Sequence, residues 1–590
     1  MLSECYLLAV IPKVVGYESH RNPSISVFRQ KSHPTMNPLK TYILSLFLVC
    51  VGLMIPRQTS GEVFTALAEM EELLETEAYL ISNLEAYIAT QEQKLNFLKR
   101  RAVDYMKEHK EAESDVSGYL SNPINAYLLT KRLTSDWKSI EAVMTYDVGS
   151  EYLGNITVYK QFLKFPSDED LNGAAVALMR LQDTYNLDTS SIARGELNGV
   201  QYSTEMTAND CFEMGRQSYL NKDYYHTALW MREAMDRLTS DTNHTTSTSK
   251  ADILEYLAFS VYKQGNVASA LKMTNQLLEL LPNHERANGN KAFYEKHLKE
   301  EEVTKADKKL KGDDGSDDLD EDNIYTTKPY SNPHIYATPE RRLYEMLCRN
   351  EIRLTPAELS KLRCKYVTNN SPFLKIAPLK LEEAYLKPYI VIYHDVMHDN
   401  EIDLIKTMAK PRFKRATVQN HKTGELEVAH YRISKSAWLK DEEHKYVADI
   451  SQRVEDMTGL TAATAEELQV VNYGIGGHYE PHFDFARREE THAFKSLGTG
   501  NRIATVLFYM SDVAQGGATV FPALNLALWP KKGTAAFWYN LHASGEGDYL
   551  TRHAACPVLT GSKWVSNKWL HEMDQEFLRP CELLPDHPDM

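Results

Sequence analysis

The 590-residue sequence is sparing with cysteine, which occurs 7 times, and beyond Lys40 it has no long block of lysine or arginine. With a formal net charge of -15, this excludes nucleic acid and an anionic membrane surface as the main partner and points to a neutral or basic substrate. A membrane-length apolar run is missing too. The stretch from Tyr42 to Ile55 holds only about fourteen apolar residues, where a spanning helix needs about twenty. Lys40 stands before it, and Pro56, Thr59, Ser60 and Gly61 follow, which is the layout of a secretory signal peptide. An uncleaved anchor is the alternative. Met36 lies just ahead, so residues 1–35 read as an upstream extension, and either Met1 or Met36 could be the start. No Lys-Asp-Glu-Leu signal ends the sequence at Met590, so retention in the endoplasmic reticulum lumen would require a partner.

What cysteine there is fits an oxidising lumen. After the signal segment only Cys211, Cys348, Cys364, Cys556 and Cys581 remain, the last four in two locally spaced pairs suited to disulfides. Cys211, in an apolar helical neighbourhood, reads as a buried free thiol. Asn155, Asn243 and Asn369 each open a glycosylation acceptor tripeptide.

The length is too great for one core and calls for three or four folded units. From Leu67 a heptad spacing runs through Leu74, Ile81, Ile88 and Leu95, with Met70, Leu84 and Leu98 between them. Such a seam must be covered, by a second chain or by a neighbouring helix; the strict heptad favours self-association. Between Thr207 and Leu298 two helix pairs resemble each other, Phe212, Gly215, Tyr219 and Ala228 recurring loosely as Leu257, Tyr262, Gly265 and Ala270. This pattern is tetratricopeptide-like. Its many aromatic residues suit a groove for extended proline-rich peptides, although fewer than half of the rings are expected to touch a ligand. From Glu300 the composition turns to Lys, Asp, Glu and Gly, as in a solvated linker. After Tyr330 come short β-rich stretches, Gln469–Tyr473, Thr505–Met510, Ala535–Tyr539 and Lys563–Trp569, with glycine turns between them, as in an antiparallel barrel or jelly roll.

The chemistry lies in that last region. In Tyr479-Glu480-Pro481-His482-Phe483-Asp484-Phe485 the histidine and the aspartate are two apart on an expected strand, so both leave one face as potential metal ligands. His-x-Asp alone is weak evidence. A third ligand, His553, follows in Thr551-Arg552-His553-Ala554, and Lys563 comes shortly after it. Two histidines and a carboxylate leave three adjacent positions open, which suits iron(II). His478 and His542 are the competing histidines. Lys563 reads either as a buried partner for an anion or as a surface lysine at a strand start.

With Asn472-Tyr473-Gly474, Gly516-Gly517-Ala518-Thr519-Val520-Phe521-Pro522, Ser544-Gly545-Glu546-Gly547-Asp548 and Thr551 to Glu572, the chain resembles the collagen-type prolyl 4-hydroxylase α-subunit family. The resemblance implies an α+β multidomain protein. Residues 1–61 would be the extension and signal peptide, and 62–200 a helical dimerisation domain with its heptad segment at 67–98. Residues 201–299 would be a tetratricopeptide-like peptide-binding domain, 300–329 an acidic linker, and 330–590 a double-stranded β-helix (jelly-roll) dioxygenase domain. It implies Fe(II) on His482, Asp484 and His553, with Lys563 pairing the distal carboxylate of 2-oxoglutarate and Tyr473, Thr505, Trp569 and His571 shaping the cosubstrate pocket. L-Ascorbate and O2 complete the cofactors. The peptide site carries over to Tyr219, Tyr256, Phe259, Arg286, Asn290 and Phe293, with phenylalanine at 259 and 293 where relatives usually have tyrosine. Disulfides map onto Cys348 with Cys364, and Cys556 with Cys581. The implied partner is protein disulfide isomerase, in an α2β2 tetramer acting on collagen-like chains in the endoplasmic reticulum lumen. The rival readings are a non-catalytic scaffold for proline-rich chains, or a related peptide hydroxylase with another substrate.

Overall fold

The computed structural model describes residues 62–240, 247–310, 338–369, 371–419, 426–490, 493–495 and 497–582. The signal segment, Asn243 and most of the acidic stretch lie outside these. Among the described residues no helix is long and apolar enough to cross a membrane.

The helical half begins with α1 (Leu67–Ser114), the segment in which the heptads were read. It packs on α2 (Gly149–Phe162) through its polar edge. Thr76 Oγ1 donates to Lys164 O, Asn83 Nδ2 to Tyr152 O, and Thr90 shares a hydrogen bond with Tyr152 Oη. The seam faces elsewhere: Leu74, Ile81, Leu84, Ile88 and Leu95 are all exposed. Next comes α3 (Asp168–Tyr185), started by a Ser167/Asp170 capping box.

Five helices, α4 (Ala208–Leu220), α5 (Tyr224–Ser240), α6 (Lys250–Lys263), α7 (Val267–Leu280) and α8 (Glu285–Leu310), form the expected paired array. The Thr207/Asp210 and Ser249/Asp252 capping boxes open the first helix of each pair alike, and Cys211, Ala228, Trp230, Val261 and Ala270 fill the core between them. Cys211 is a buried free thiol, pushed up to about 12 by burial. The stretch from Glu300 departs from the linker reading, because α8 continues to Leu310. Glu, Lys and Ala are good helix formers, and the Lys296–Glu300 pair supports the continuation.

The C-terminal half is two facing sheets. Helix α9 (Pro339–Cys348) leads into β1 (Cys364–Val367), β2 (Leu379–Tyr385), β3 (Ile390–His394), β4 (Lys414–Arg415), β5 (Lys435–Leu439), β6 (Leu468–Asn472), β7 (Tyr479–His482), β8 (Arg502–Tyr509), β9 (Thr519–Phe521), β10 (Leu526–Leu528), β11 (Ala535–Tyr539), β12 (His553–Ala555) and β13 (Trp564–His571). The larger, nine-stranded sheet has the order β1-β2-β3-β11-β8-β13-β6-β5-β4, and the smaller is β7-β12-β9-β10. The four strands expected from the sequence are the consecutive strands β11, β8, β13 and β6 at the middle of the large sheet. Their apolar runs are buried on both faces, between the small sheet on one side and helices α10 (Asp399–Ala409) and α11 (Lys445–Thr458) on the other.

The disulfide assignment is corrected. Cys348 bonds Cys556, with Cα atoms 5.5 Å apart, whereas Cys364 and Cys581 are exposed free thiols. Neither Cys348–Cys364 nor Cys556–Cys581 is formed. The reason is packing: α9 lies on the small sheet, where Tyr344, Leu347 and Cys348 share a core with Ala554 and Cys556, while Cys364 leaves on the edge strand of the large sheet. Nearness in sequence did not survive as nearness in space. Two acceptor asparagines are engaged within the fold. Asn155 Nδ2 donates to Asn83 Oδ1, and Asn369 Nδ2 to the carbonyls of Asp456 and Met457.

Candidate metal centre

Strands β7 and β12 run antiparallel with His482 directly opposite His553. Such cross-strand pairing brings two side chains on one face into contact, and the ring centroids are 4.4 Å apart. Asp484 differs from the expected strand geometry: β7 ends at His482, and Asp484 sits in the bend beyond it. Phe485 enters the core there, which turns the carboxylate inward. The result is one ligand atom from each of His482, Asp484 and His553, all within 4.8 Å of one another.

Each donor is already aimed. His482 Nδ1 lies 2.8 Å from Glu480 O and His553 Nδ1 3.0 Å from Thr551 O. A carbonyl can only accept, so both Nδ1 atoms carry hydrogen and both Nε2 lone pairs face inward. They meet Asp484 at 3.6 Å (His482 to Oδ1) and 3.7 Å (His553 to Oδ2). Burial, opposed by Asp484, brings His553 down to about 4, so at neutral pH its imidazole is an uncharged donor. On Asp484, burial would raise the carboxyl, but His553 and His482 outweigh it and hold the group well below the usual carboxylate range. Its Oδ2 also accepts from Thr505 Oγ1 at 2.8 Å and Trp569 Nε1 at 3.0 Å, and Asn540 Nδ2 in turn donates to Thr505 Oγ1 at 2.9 Å. Three anionic or neutral nitrogen and oxygen donors, oriented from behind and open on one side, fit a divalent iron better than a closed structural zinc site.

At the other end of the same narrow cavity stands Lys563, 1% exposed. The surface-lysine reading is therefore overturned. Its ammonium lies over the Tyr473 ring, 4.9 Å from the centroid, and burial alone brings it down to about 7. No carboxylate among the described residues is paired with it. A buried lysine of this kind, sharing a cavity with the triad, could balance the charge of an incoming anion.

Of the second group of sequence candidates, Tyr473 and Trp569 line the cavity and Thr505 holds Asp484. His571 does not reach the cavity. It is fully buried, with Nδ1 against Gly500 O and Thr499 Oγ1 and Nε2 3.1 Å from Glu466. His478 is buried and driven well below its usual value by burial; neither it nor His542 belongs to the triad. Sequence reasoning missed Arg432, buried in the cavity wall over the Tyr479 ring at 4.8 Å, and Asn540. An arginine outside any regular strand gives no signal of its own; only its isolated bridge to Tyr479 marks it.

In the helical array Tyr219, Tyr256 and Phe259 come together. Tyr219 is edge-on to Tyr256 at 5.0 Å and to Phe259 at 5.8 Å. Tyr262 extends the ring series to the exposed Phe293. Arg286, Asn290 and Phe293 share one face of α8 at helical spacing, with Arg286 ion-paired to Glu255.

The two-sheet fold and the histidine–aspartate–histidine triad define an iron(II)- and 2-oxoglutarate-dependent oxygenase, and residues 468–571 match the 2OG-Fe(II) oxygenase superfamily. Residues 66–199 match the prolyl 4-hydroxylase alpha-subunit N-terminal region and 208–300 the prolyl 4-hydroxylase peptide-substrate-binding domain. The chain is 49% identical over 91% of its length to prolyl 4-hydroxylase subunit alpha-1 of Homo sapiens, 99% of which is covered. It is 48% identical over 91% of its length to subunit alpha-2 of Caenorhabditis elegans, 96% of which is covered. The viral collagen prolyl hydroxylase vCPH from Paramecium Bursaria Chlorella virus-1 aligns with 30% of this chain and 94% of its own at 23% identity and a TM-score of 0.24. The chain belongs to the prolyl 4-hydroxylase α-subunit family. It is an oxidoreductase that uses Fe(II), 2-oxoglutarate and O2.

Proposed function

We propose that this chain hydroxylates C4 of proline in collagen-like polypeptides while 2-oxoglutarate is decarboxylated to succinate, with His482, Asp484 and His553 as the iron ligands and Lys563 as the partner of the distal carboxylate. The observation that carries this is the pairing of the triad with an uncompensated buried lysine in one cavity. Iron supplies oxygen activation when bound. The protein's part is to present two pre-set imidazole lone pairs, to fix Asp484 through Thr505 and Trp569, and to offer a dry, aromatic-walled space. L-Ascorbate would keep the metal reduced.

Outside the cavity a cleft of about 880 Å³ opens beside Phe485, lined by Arg487, Phe494, Asn501, Glu546 and Tyr549. Gly547 lets the two walls close up, since a Cβ there would lie 2.0 Å from the Phe485 ring. An extended proline-rich chain would approach here, held elsewhere along its length by Tyr219, Tyr256, Phe259, Arg286, Asn290 and Phe293. The exposed heptad seam would join two α chains, and protein disulfide isomerase would complete an α2β2 tetramer retained in the endoplasmic reticulum lumen. Glycans at Asn155 or Asn369 would have to be added before those amides are engaged by the fold. Co-expression with protein disulfide isomerase, followed by assay of succinate and 4-hydroxyproline on a Pro-Pro-Gly repeat peptide, tests the reading. Coupled formation of both products supports it, and succinate without hydroxyproline on any proline-rich peptide would point to another substrate.

A further inference from the structure

Behind the wall of the cosubstrate cavity, against Asn472 and Tyr473, lie residues that come from the far end of the described chain. A single turn, Val63–Thr65, sits beneath the bend that follows β6, with Thr65 and Ala66 fully buried. Three hydrogen bonds tie it there. Ile475 N–H donates to Phe64 O at 3.1 Å, Leu67 N–H to Tyr473 O at 3.4 Å, and Ala68 N–H to Asn472 Oδ1 at 3.0 Å. The approach is so close that a Cβ on Gly474 would lie 1.9 Å from Phe64 O. On its other side the segment is clamped by α3, where Phe64 N–H donates to Asp170 Oδ1 at 3.2 Å and the Phe64 ring occupies the space a Cβ on Gly173 would need. Next to it, Glu69 forms a buried ion pair with Lys435 at 2.7 Å, and Lys435 is the strand neighbour of Asn472.

The connection continues to the cavity. Asn472 is fully buried, and while its Oδ1 accepts from Ala68, its Nδ2 donates to Lys563 O at 3.2 Å; Tyr473 N–H reaches the same carbonyl at 3.2 Å. Two hydrogen bonds through one side chain therefore lead from Ala68 to the backbone of Lys563, and Tyr473 carries the ring on which the Lys563 ammonium rests. A buried amide with both ends engaged holds its partners in one geometry.

We propose that residues 62–69 form a positioning segment for the cosubstrate: docked under Gly474, they fix Asn472 and Tyr473 and through them the place of Lys563. This rests on the reading of Lys563 as the partner of the 2-oxoglutarate carboxylate. The segment runs straight into α1, so the helix with the exposed seam starts against the strand end that carries Tyr473.

The test uses the full chain co-expressed with protein disulfide isomerase. Gly474→Ala pushes the segment off, Phe64→Ala removes its clamp while leaving the cavity residues untouched, Phe64→Leu is the conservative rescue, and Lys563→Ala is the control. Hydrogen exchange is read at residues 472–475 and 563–566 in metal-free protein, and KM for 2-oxoglutarate is compared with KM for peptide. The expected result is faster exchange at both stretches and a roughly tenfold higher KM for 2-oxoglutarate in Phe64→Ala, with peptide KM little changed and Phe64→Leu close to the parent. Faster exchange with an unchanged 2-oxoglutarate KM would overturn the proposal, since the segment would then be merely structural; so would unchanged exchange. Should Gly474→Ala fail to fold, Phe64→Ala carries the test alone. If Lys563→Ala itself leaves the 2-oxoglutarate KM unaltered, the reading of Lys563 has failed, a result independent of what Phe64→Ala does to exchange.

Discussion

The barrel and the first long helix treat apolar side chains in opposite ways. In the barrel Phe508, Phe521, Trp538 and Tyr509 are at most 1% exposed, and Asp484 Oδ2 accepts from Thr505 and Trp569, with Asn540 donating to Thr505. Along α1 the seam residues stand in water, Leu74 at 68% and Leu84 at 56%, while the polar stripe Thr76, Asn83 and Thr90 is what the chain uses for its own packing. At about 25 cal/mol per Å² of apolar surface, a row of exposed leucine and isoleucine is a large unused driving force. The barrel thus buries its apolar side chains within one chain, whereas the α1 seam is left exposed among the described residues. Substitutions in one should damage chemistry without assembly, and substitutions in the other should do the reverse.

The largest effect expected is from the triad. His482→Ala or His553→Ala should reduce turnover by about a thousandfold or more in a coupled succinate assay, with the mass of the assembly unaltered by light scattering. Lys563→Ala should come next, raising KM for 2-oxoglutarate about a hundredfold, the cost of leaving a buried carboxylate unpaired. The same lysine has a pH signature. Burial lowers it to about 7, so above that pH it is neutral without an anion and regains its proton when the dicarboxylate binds. 2-Oxoglutarate binding should therefore take up about one proton at pH 8 and weaken as pH rises, as calorimetry in buffers of different ionisation enthalpy can measure. Trp569→Phe keeps the ring but removes the N–H on Asp484 Oδ2; metal affinity should fall about tenfold. In the helical region, Ile81→Glu with Ile88→Glu should yield single α chains by light scattering while activity per site stays within about twofold. The smallest effect belongs to Phe259→Tyr, where a restored hydroxyl should lower KM for a proline-rich peptide by about threefold.

The contrast also explains what could be read before folding. The triad was legible from the His-x-Asp spacing with a further histidine downstream, His482 and His553 meeting across paired antiparallel strands, and the four strand segments were legible because their apolar runs are long. The bend at Asp484 was not, since it depends on Phe485 finding the core. Helix α8 outran its boundary because charged residues that look like a solvated linker are also good helix formers. The cysteine pairing failed because it depends on α9 crossing onto the small sheet, a contact between residues far apart in sequence. Arg432, Asn540 and the docking of residues 62–69 share that character: each is defined by a neighbour on another element, and none carries a local pattern.

In the proposed reaction two imidazoles and one carboxylate grip a single ion with an anion held behind it. Anaerobic titration of Fe(II) and 2-oxoglutarate, followed by the visible charge-transfer absorption of a 2-oxo acid chelated to iron, measures this directly. The expected result is one equivalent of chelate in the parent protein, none in His553→Ala, and a higher 2-oxoglutarate requirement in Lys563→Ala. An undiminished band in His553→Ala would contradict it.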